Sequence, residues 1–313
     1  MSDLRIVYMG TPDFAVYPLK CLVEGGYNVV GVVTMPDKPA GRGLKLSESA
    51  VKKYAVGAGL PLLQPVSLKD ERFLHELKAL NPQLGIVVAF RMLPKVVWAM
   101  PERGTFNLHA SVLPDYRGAA PITWALINGD TETGVTTFML DEQIDTGDII
   151  EVRKVPITEE DNAGTLHDKL MYAGGELVLH SVDRIEQGKL TLHKQPDISE
   201  KMRPAPKIFK DTCKIDWNND IVAVKNLIRG LSPYPAAWTD FDGKYGAVSL
   251  KIFAVKTEFC SHGLICGEVV TDGRHALKVA CNGGFIHILE LQLSGKKRMD
   301  TEAFLRGNRM FDK

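Results

Sequence analysis

The feature that most constrains how this chain folds is a change of rhythm close to residue 190 of 313. Before it, short apolar runs alternate with longer amphipathic ones. After it, short runs are separated by Asp-Gly and Asn-Gly pairs. Residues 4–9, 28–34 and 84–89 are dense in Leu, Ile and Val without polar alternation, as in strands buried on both faces. Between them lie stretches of helical period at 12–24, 49–56 and 67–80. Thr11 stands where it can cap the first of these, with Pro12 in its first turn, and Ser67 with Asp70 has capping-box spacing. Further strands are expected at 105–109, 134–140 and 148–152, with a short apolar piece at Leu62-Leu63 and a short helix at 121–128. A long helix over 165–187 aligns Leu166, Leu170, Ala173 and Leu177, and Gly188 stops it.

Together these runs predict an α/β chain. Residues 1–188 read as a Rossmann-like, mostly parallel sheet with helices on both faces. Residues 189–206 are polar, contain Pro196, Pro204 and Pro206, and read as a linker. Residues 207–313 offer one helix near 220–229 and about five short strands. Hairpin signals at Asp242-Gly243, Asp272-Gly273 and Asn282-Gly283 make this second domain a small antiparallel, OB-like β-barrel.

Composition narrows the classes further. No apolar run approaches the roughly 20 residues of a membrane span, and the first residues do not read as a signal peptide. Five scattered cysteines without a Cys-x-x-Cys pair argue against a disulfide framework and a structural zinc site, and point to the cytoplasm. The chain is neutral overall, with 38 basic and 38 acidic residues, yet residues 207–313 hold 16 basic against 12 acidic. That mild excess suits a polyanionic partner and equally suits an ordinary solvated surface.

Three stretches carry candidate chemistry. On the strand at 105–109, Asn107 and His109 point the same way, about 7 Å apart. An amide donor thus stands beside an imidazole that titrates near neutrality. A buried histidine satisfied by its neighbour has the same appearance. The acidic stretch Asp141-Glu142-Gln143-Ile144-Asp145-Thr146-Gly147-Asp148 holds four carboxylates: a metal site, solvated loop acids, or an orienter for the histidine. Metal is disfavoured because no second histidine stands at ligand spacing; spacing alone leaves open which acid would serve. The third stretch, residues 35–46, is long for a strand-to-helix connection and carries Lys38, Arg42 and Lys45 between prolines and glycines. Gly10-Thr11-Pro12-Asp13 follows the first strand without Gly-x-Gly-x-x-Gly, and no acid ends the second strand, which disfavours a dehydrogenase.

With these blocks in this order, the chain resembles the folate-dependent formyltransferases. The match is carried by Gly10-Thr11-Pro12-Asp13-Phe14, Pro39-Ala40-Gly41-Arg42-Gly43, Asn107-Leu108-His109, Ser111-Val112-Leu113-Pro114, Tyr116-Arg117-Gly118-Ala119-Ala120-Pro121 and Asp145-Thr146-Gly147-Asp148. Ile215-Asp216-Trp217 and Ile228-Arg229 with Pro233 and Pro235 extend it into the second domain. The Pro-Ala-Gly-Arg-Gly loop and the second domain narrow the resemblance to the branch acting on charged initiator tRNA.

The resemblance implies transfer of a formyl group from 10-formyltetrahydrofolate to the amino group of methionyl initiator tRNA. The folate is then a co-substrate, with no tightly bound cofactor and no metal. It implies Asn107, His109 and Asp145 as the catalytic trio, and Phe90, Met92, Ser111, Val112, Leu113 and Pro114 as the folate site. Lys38, Arg42 and Lys45 would face the acceptor end of the tRNA. Lys296, Lys297 and Arg298 of the barrel, with Arg306 and Arg309, would hold its backbone electrostatically. The expected enzyme is a cytoplasmic monomer with no membrane partner. Phe90 stands where the family commonly has tyrosine, and Val112 and Ile144 each replace a common leucine. Two rivals are a formyltransferase for another amine, such as a nucleotide sugar or glycinamide ribonucleotide, and a non-catalytic nucleic-acid-binding protein.

Overall fold

The computed structural model describes residues 3–40, 45–196, 202–243, 246–308 and 310–311. They form two compact units that are not continuous in sequence: 1–118, 133–156 and 167–204 in one, and 119–132, 157–166 and 205–313 in the other.

The elements run β1 (Ile6–Gly10), α1 (Val16–Glu24), β2 (Val29–Val33), β3 (Lys38–Ala40), β4 (Lys45–Ser47), α2 (Ala50–Gly57) and β5 (Leu62–Leu63). There follow α3 (Glu71–Ala79), β6 (Leu84–Val88), α4 (Lys95–Trp98), β7 (Thr105–His109), α5 (Pro121–Ile127), β8 (Glu132–Met139), β9 (Ile149–Pro156) and α6 (Ala163–Glu186). The first unit's sheet has the order β5-β2-β1-β6-β7-β8-β9. Its strands are parallel from β5 through β7, and β8 turns antiparallel to β7. β1, β2 and β6 are buried along their whole length, which is why their sequences show no alternation.

Across this sheet Val33, Met9, Val87 and Asn107 stand side by side in register. The first three join a core with Phe73, Leu77 and Val97 beneath α3 and α4. On the other face Leu108 lies against α6, so close that a Cβ on Gly174 would come within 2.7 Å of its Cδ2. Helices therefore cover both faces, and Asn107 is the polar member of a row that continues on β8 with the buried Phe138.

Two helix starts differ from expectation. After β1 the chain makes a short 3-10 turn, Asp13–Ala15, before α1 begins at Val16. Thr11 caps nothing: its hydroxyl is buried without a partner among the described residues, while Asp13 takes the Phe14 N–H. The turn is tight enough that a Cβ on Gly10 would meet Ala15 Cβ at 2.7 Å. Likewise α3 is capped by Asp70, which accepts from Phe73 N, and Ser67 accepts only from Lys69 N. Asp70 lies immediately before the helix whose buried face is Phe73 and Leu77, so it holds the cap position.

In the polar run at 189–206, the described residues His193 and Arg203 are bonded to the rest of the first unit. His193 and Ile149 exchange both backbone hydrogen bonds. The Arg203 carbonyl accepts from Tyr116 N, and the Asp115 carboxylate accepts from Arg203 N and Nη2.

The second unit continues with α7 (Ile221–Leu231), β10 (Ala237–Gly243), β11 (Gly246–Phe259), β12 (Val269–Thr271), β13 (Leu277–Cys281), β14 (Gly284–Leu293), β15 (Met299–Asp300) and α8 (Thr301–Gly307). Its antiparallel sheet has the order β10-β11-β14-β13-β12, with β15 against β14. Ile221, Val224, Ile228 and Leu231 of α7 pack into its core with Leu250, Ile252, Ile286, Ile288 and Phe304. This is the expected small half-barrel. Asn282-Gly283 joins β13 to β14, with Gly283 at φ +90°. At Asp272-Gly273 the carboxylate accepts from three backbone N–H groups, of Arg274, His275 and Ala276. Those donors lower the Asp272 pKa to about 2. Helix α5 belongs to this unit: a Cβ on Gly230 of α7 would meet Ile127 Cγ1 at 2.9 Å, and the Trp124 indole donates to the Pro206 carbonyl.

Candidate active site

The site grows from the end of β7. Because Leu108 points to α6, Asn107 and His109 face the other side of the sheet. Asn107 is half-buried, and its side-chain amide makes no hydrogen bond among the described residues. His109 is buried, and its Nε2 lies 2.8 Å from the Tyr116 carbonyl. A carbonyl only accepts, so Nε2 carries a proton. The other ring nitrogen, Nδ1, faces Asp145 Oδ2 at 3.8 Å, an ion-pair distance beyond hydrogen-bond reach. Asp145 Oδ2 instead accepts from Gly118 N at 2.9 Å.

The structure separates the four loop acids. Asp141 binds inside its own loop, accepting from Gln143 N and the Thr146 hydroxyl. Glu142 pairs with Lys95 at 2.6 Å, which holds its pKa below the usual carboxylate range. Asp148 closes the loop through its carbonyl, 2.9 Å from Met139 N. Asp145 faces the histidine. The neighbouring Gly147 is required there, since any Cβ would fall 1.7 Å from the Met139 carbonyl oxygen.

Three non-glycine residues around this strand end adopt left-handed backbone: Ala89 after β6, Tyr116 and Asp145, with φ of +46°, +61° and +56°. Each such conformation costs on the order of 1–3 kcal/mol and persists where surroundings over-determine it. At Tyr116 and Asp145 those residues supply the two acceptors that face the ring.

The loop after β7 is fixed from below. The buried Thr136 hydroxyl donates to the Ser111 carbonyl at 2.7 Å and accepts from Leu113 N at 3.2 Å. Ser111 donates to the Asp115 carbonyl. Ser111 and Leu113 therefore bury their side chains, and Val112 rests on Gly134. Pro114, half-buried, follows a cis peptide bond. Phe90 packs on the core under α3, and Met92 is 74% exposed. Between them Arg91 donates to the Pro65 and Val66 carbonyls, and burial lowers its pKa.

The basic residues fall in different places. Lys38 is exposed on β3, whose partner β4 begins at Lys45. Arg42 and Arg309 lie outside the described residues. Lys296 and Lys297 are exposed in the turn after β14, whereas Arg298 pairs with Glu290 and covers the Phe253 ring. Four groups at the site carried no signal of their role in the sequence: the Tyr116 carbonyl, Gly118 N–H, Thr136 and Gln195. Tyr116 and Gly118 lie within a recognised block, but nothing in that block says that their backbone serves.

Comparison with known proteins gives the family of the chain. The formyl transferase family matches residues 4–182, and the C-terminal domain of formyl transferases matches residues 207–309. A methionyl-tRNA formyltransferase of Bacteroides fragilis is 59% identical over 309 residues, covering 98% of this chain and 95% of that one. Its counterpart in Flavobacterium psychrophilum is 53% identical, covering 98% and 97%. Among solved structures, an N-formyltransferase from Helicobacter canadensis, in complex with folinic acid and dTDP-3-aminofucose, aligns with a TM-score of 0.68 at 20% identity, over 95% of this chain and 100% of that one. HypX from Aquifex aeolicus, in complex with tetrahydrofolic acid, aligns with a TM-score of 0.67 at 19% identity, over 97% of this chain and 47% of that one. The structural likeness is one of fold, and the sequence likeness is one of family. The chain belongs to the formyl transferase family, in its methionyl-tRNA formyltransferase branch.

Proposed function

We propose that this protein transfers the formyl group of 10-formyltetrahydrofolate to the amino group of methionyl initiator tRNA, with Asn107, His109 and Asp145 as its catalytic residues. The observation that carries the residue assignment is an Asn107 amide without a partner among the described residues, beside a buried imidazole with one nitrogen uncommitted. When the amine attacks the formyl carbon, the carbonyl oxygen gains negative charge, and the Asn107 N–H donates to it. The new C–N bond makes the amine acidic, and Nδ1 of His109 takes the proton. The adjacent Asp145 carboxylate stabilises the resulting imidazolium. Nδ1 then returns the proton to N10 of the folate as the C–N10 bond breaks. A stronger base is unnecessary, because free α-amino groups already titrate at about 7.7–8.0.

The loop from Ser111 to Pro114, with Phe90 and Met92, is proposed to bind the folate. Because Ser111 and Leu113 are buried, their contribution there is backbone. Lys38, Arg42 and Lys45 are proposed to engage the acceptor end of the tRNA, and Lys296, Lys297 and Arg298 its backbone. Lys296 and Lys297 are exposed, whereas Arg298 must first leave Glu290. The protein is further proposed to act in the cytoplasm as a monomer. All five cysteines are free thiols, no helix among the described residues is long and apolar enough to cross a membrane, and one chain supplies the whole trio.

The direct test mixes the protein with 10-formyltetrahydrofolate and, in parallel, methionyl initiator tRNA, a nucleotide amino sugar and glycinamide ribonucleotide. Formylated methionyl-tRNA is the expected product. Formylation of a small amine with none of the tRNA would overturn the reading.

A further inference from the structure

The two acceptors that face the His109 ring are both held by one segment that reads in sequence as a spacer. The Tyr116 carbonyl takes its place because Tyr116 N donates to the Arg203 carbonyl at 2.6 Å. Asp145 takes its place through Gln195. The Gln195 side-chain amide donates from Nε2 to the Asp145 carbonyl at 3.0 Å and to the Gly147 carbonyl at 2.8 Å. Its Oε1 accepts from Arg117 Nε at 3.2 Å and Nη2 at 2.6 Å. Arg117 lies between Tyr116 and Gly118, whose N–H holds the Asp145 carboxylate. One half-buried amide thus ties the acidic loop to the loop after β7, and it does so at the residue whose backbone is left-handed.

We infer that Gln195 is a positioning residue for formyl transfer: its carboxamide holds the backbone at Asp145 so that the carboxylate faces His109. This rests on the roles proposed for His109 and Asp145. A primary amide is required because the two ends of the clamp ask for opposite things, two N–H donors toward the carbonyls and one acceptor toward the guanidinium. Glutamate satisfies only the second. Methionine keeps the volume and satisfies neither.

The test compares Gln195→Met and Gln195→Glu with the unaltered protein, each also combined with Asp145→Ala. The readout is kcat and both KM values for formylation of methionyl initiator tRNA. In the otherwise unaltered protein, Gln195→Met lowers kcat about tenfold while either KM moves less than about twofold, as expected for a displaced catalytic group. Gln195→Glu loses at least as much, although it gains an ion pair with Arg117. In the Asp145→Ala background each change costs less than about twofold, because a residue acting only through Asp145 has nothing left to position. Wild-type turnover in Gln195→Glu would reduce the residue to an anchor for Arg117 and overturn the inference. So would an undiminished loss in the Asp145→Ala background. Wild-type turnover in Asp145→Ala alone would instead overturn the catalytic assignment itself, which separates the two failures.

Discussion

Two of the protein's histidine–carboxylate pairs, one in each unit, stand in very different surroundings. On the half-barrel, His287 on β14 hydrogen-bonds Glu258 on β11, and Lys278 on β13 reaches the same carboxylate at 3.0 Å. Those side chains are 30% and 40% exposed for His287 and Glu258. At the end of β7, His109 and Asp145 stand 3.8 Å apart and are 8% and 14% exposed. The closer pair is the less promising one. Its carboxylate is shared between the Lys278 ammonium and the His287 ring in partial contact with water, where such pairs contribute little. The looser pair is enclosed, is flanked by left-handed backbone at Tyr116 and Asp145, and leaves one ring nitrogen uncommitted. Enclosure and an unfilled valence at a strand end mark a working site better than a short distance does.

The largest expected effect breaks this comparison directly. His109→Ala or Asp145→Ala lowers turnover by about a hundredfold or more, while His287→Ala stays within about twofold of the unaltered protein, both read by single-turnover formylation. A comparable loss in His287→Ala would erase the distinction. An intermediate effect sharpens it. Thr136→Val strips the hydroxyl that serves the Ser111 carbonyl and Leu113 N–H, and Thr301→Val strips one that serves the Ile288 carbonyl in the other unit. Each leaves buried groups unpaired and destabilises by about 1–3 kcal/mol in urea denaturation. Only Thr136→Val also lowers kcat, since it alone loosens the loop that carries Tyr116. The smallest effect concerns pH. Hydrogen bonds from His287 and then Lys278 lower the Glu258 pKa from its ordinary 4.5. A carboxylate with depressed folded pKa stabilises the fold above the unfolded value, and the contribution fades as pH falls through the folded one. The melting-temperature gap between the unaltered protein and Glu258→Gln is therefore fully present above pH of about 4.5 and narrows as pH falls below it. A gap that does not narrow on acidification would refute the pairing.

Much of this architecture was legible in the residues because burial leaves a periodic trace. The apolar runs of β1, β2 and β6, free of polar alternation, announced a parallel sheet, and the Asn-Gly and Asp-Gly pairs announced the hairpins of the barrel. Asn107 and His109 were legible as a pair because strand alternation fixes their common side. Other features leave no such trace. Which residue carries a helix cap depends on where the buried face begins, so Asp70 replaced Ser67 at α3, and no side chain caps α1. The choice among four loop acids turned on Gly118 N–H and on the backbone at Asp145, neither of which composition records. Residues 189–206 are polar with three prolines and look like a spacer, yet His193, Gln195 and Arg203 bond through backbone and amide groups that any polar run contains.

The placement of α5 has a consequence for how the chain is made and inherited. Its partners on α7 lie about a hundred residues downstream, so during synthesis the segment 119–132 emerges well before the surface that completes it. A chain ending at residue 188 would keep the whole seven-stranded sheet and still leave the Trp124 indole and the α5 surface beside Gly230 without their partners. The two units are therefore interleaved along the chain, and a cut at residue 188 divides one of them.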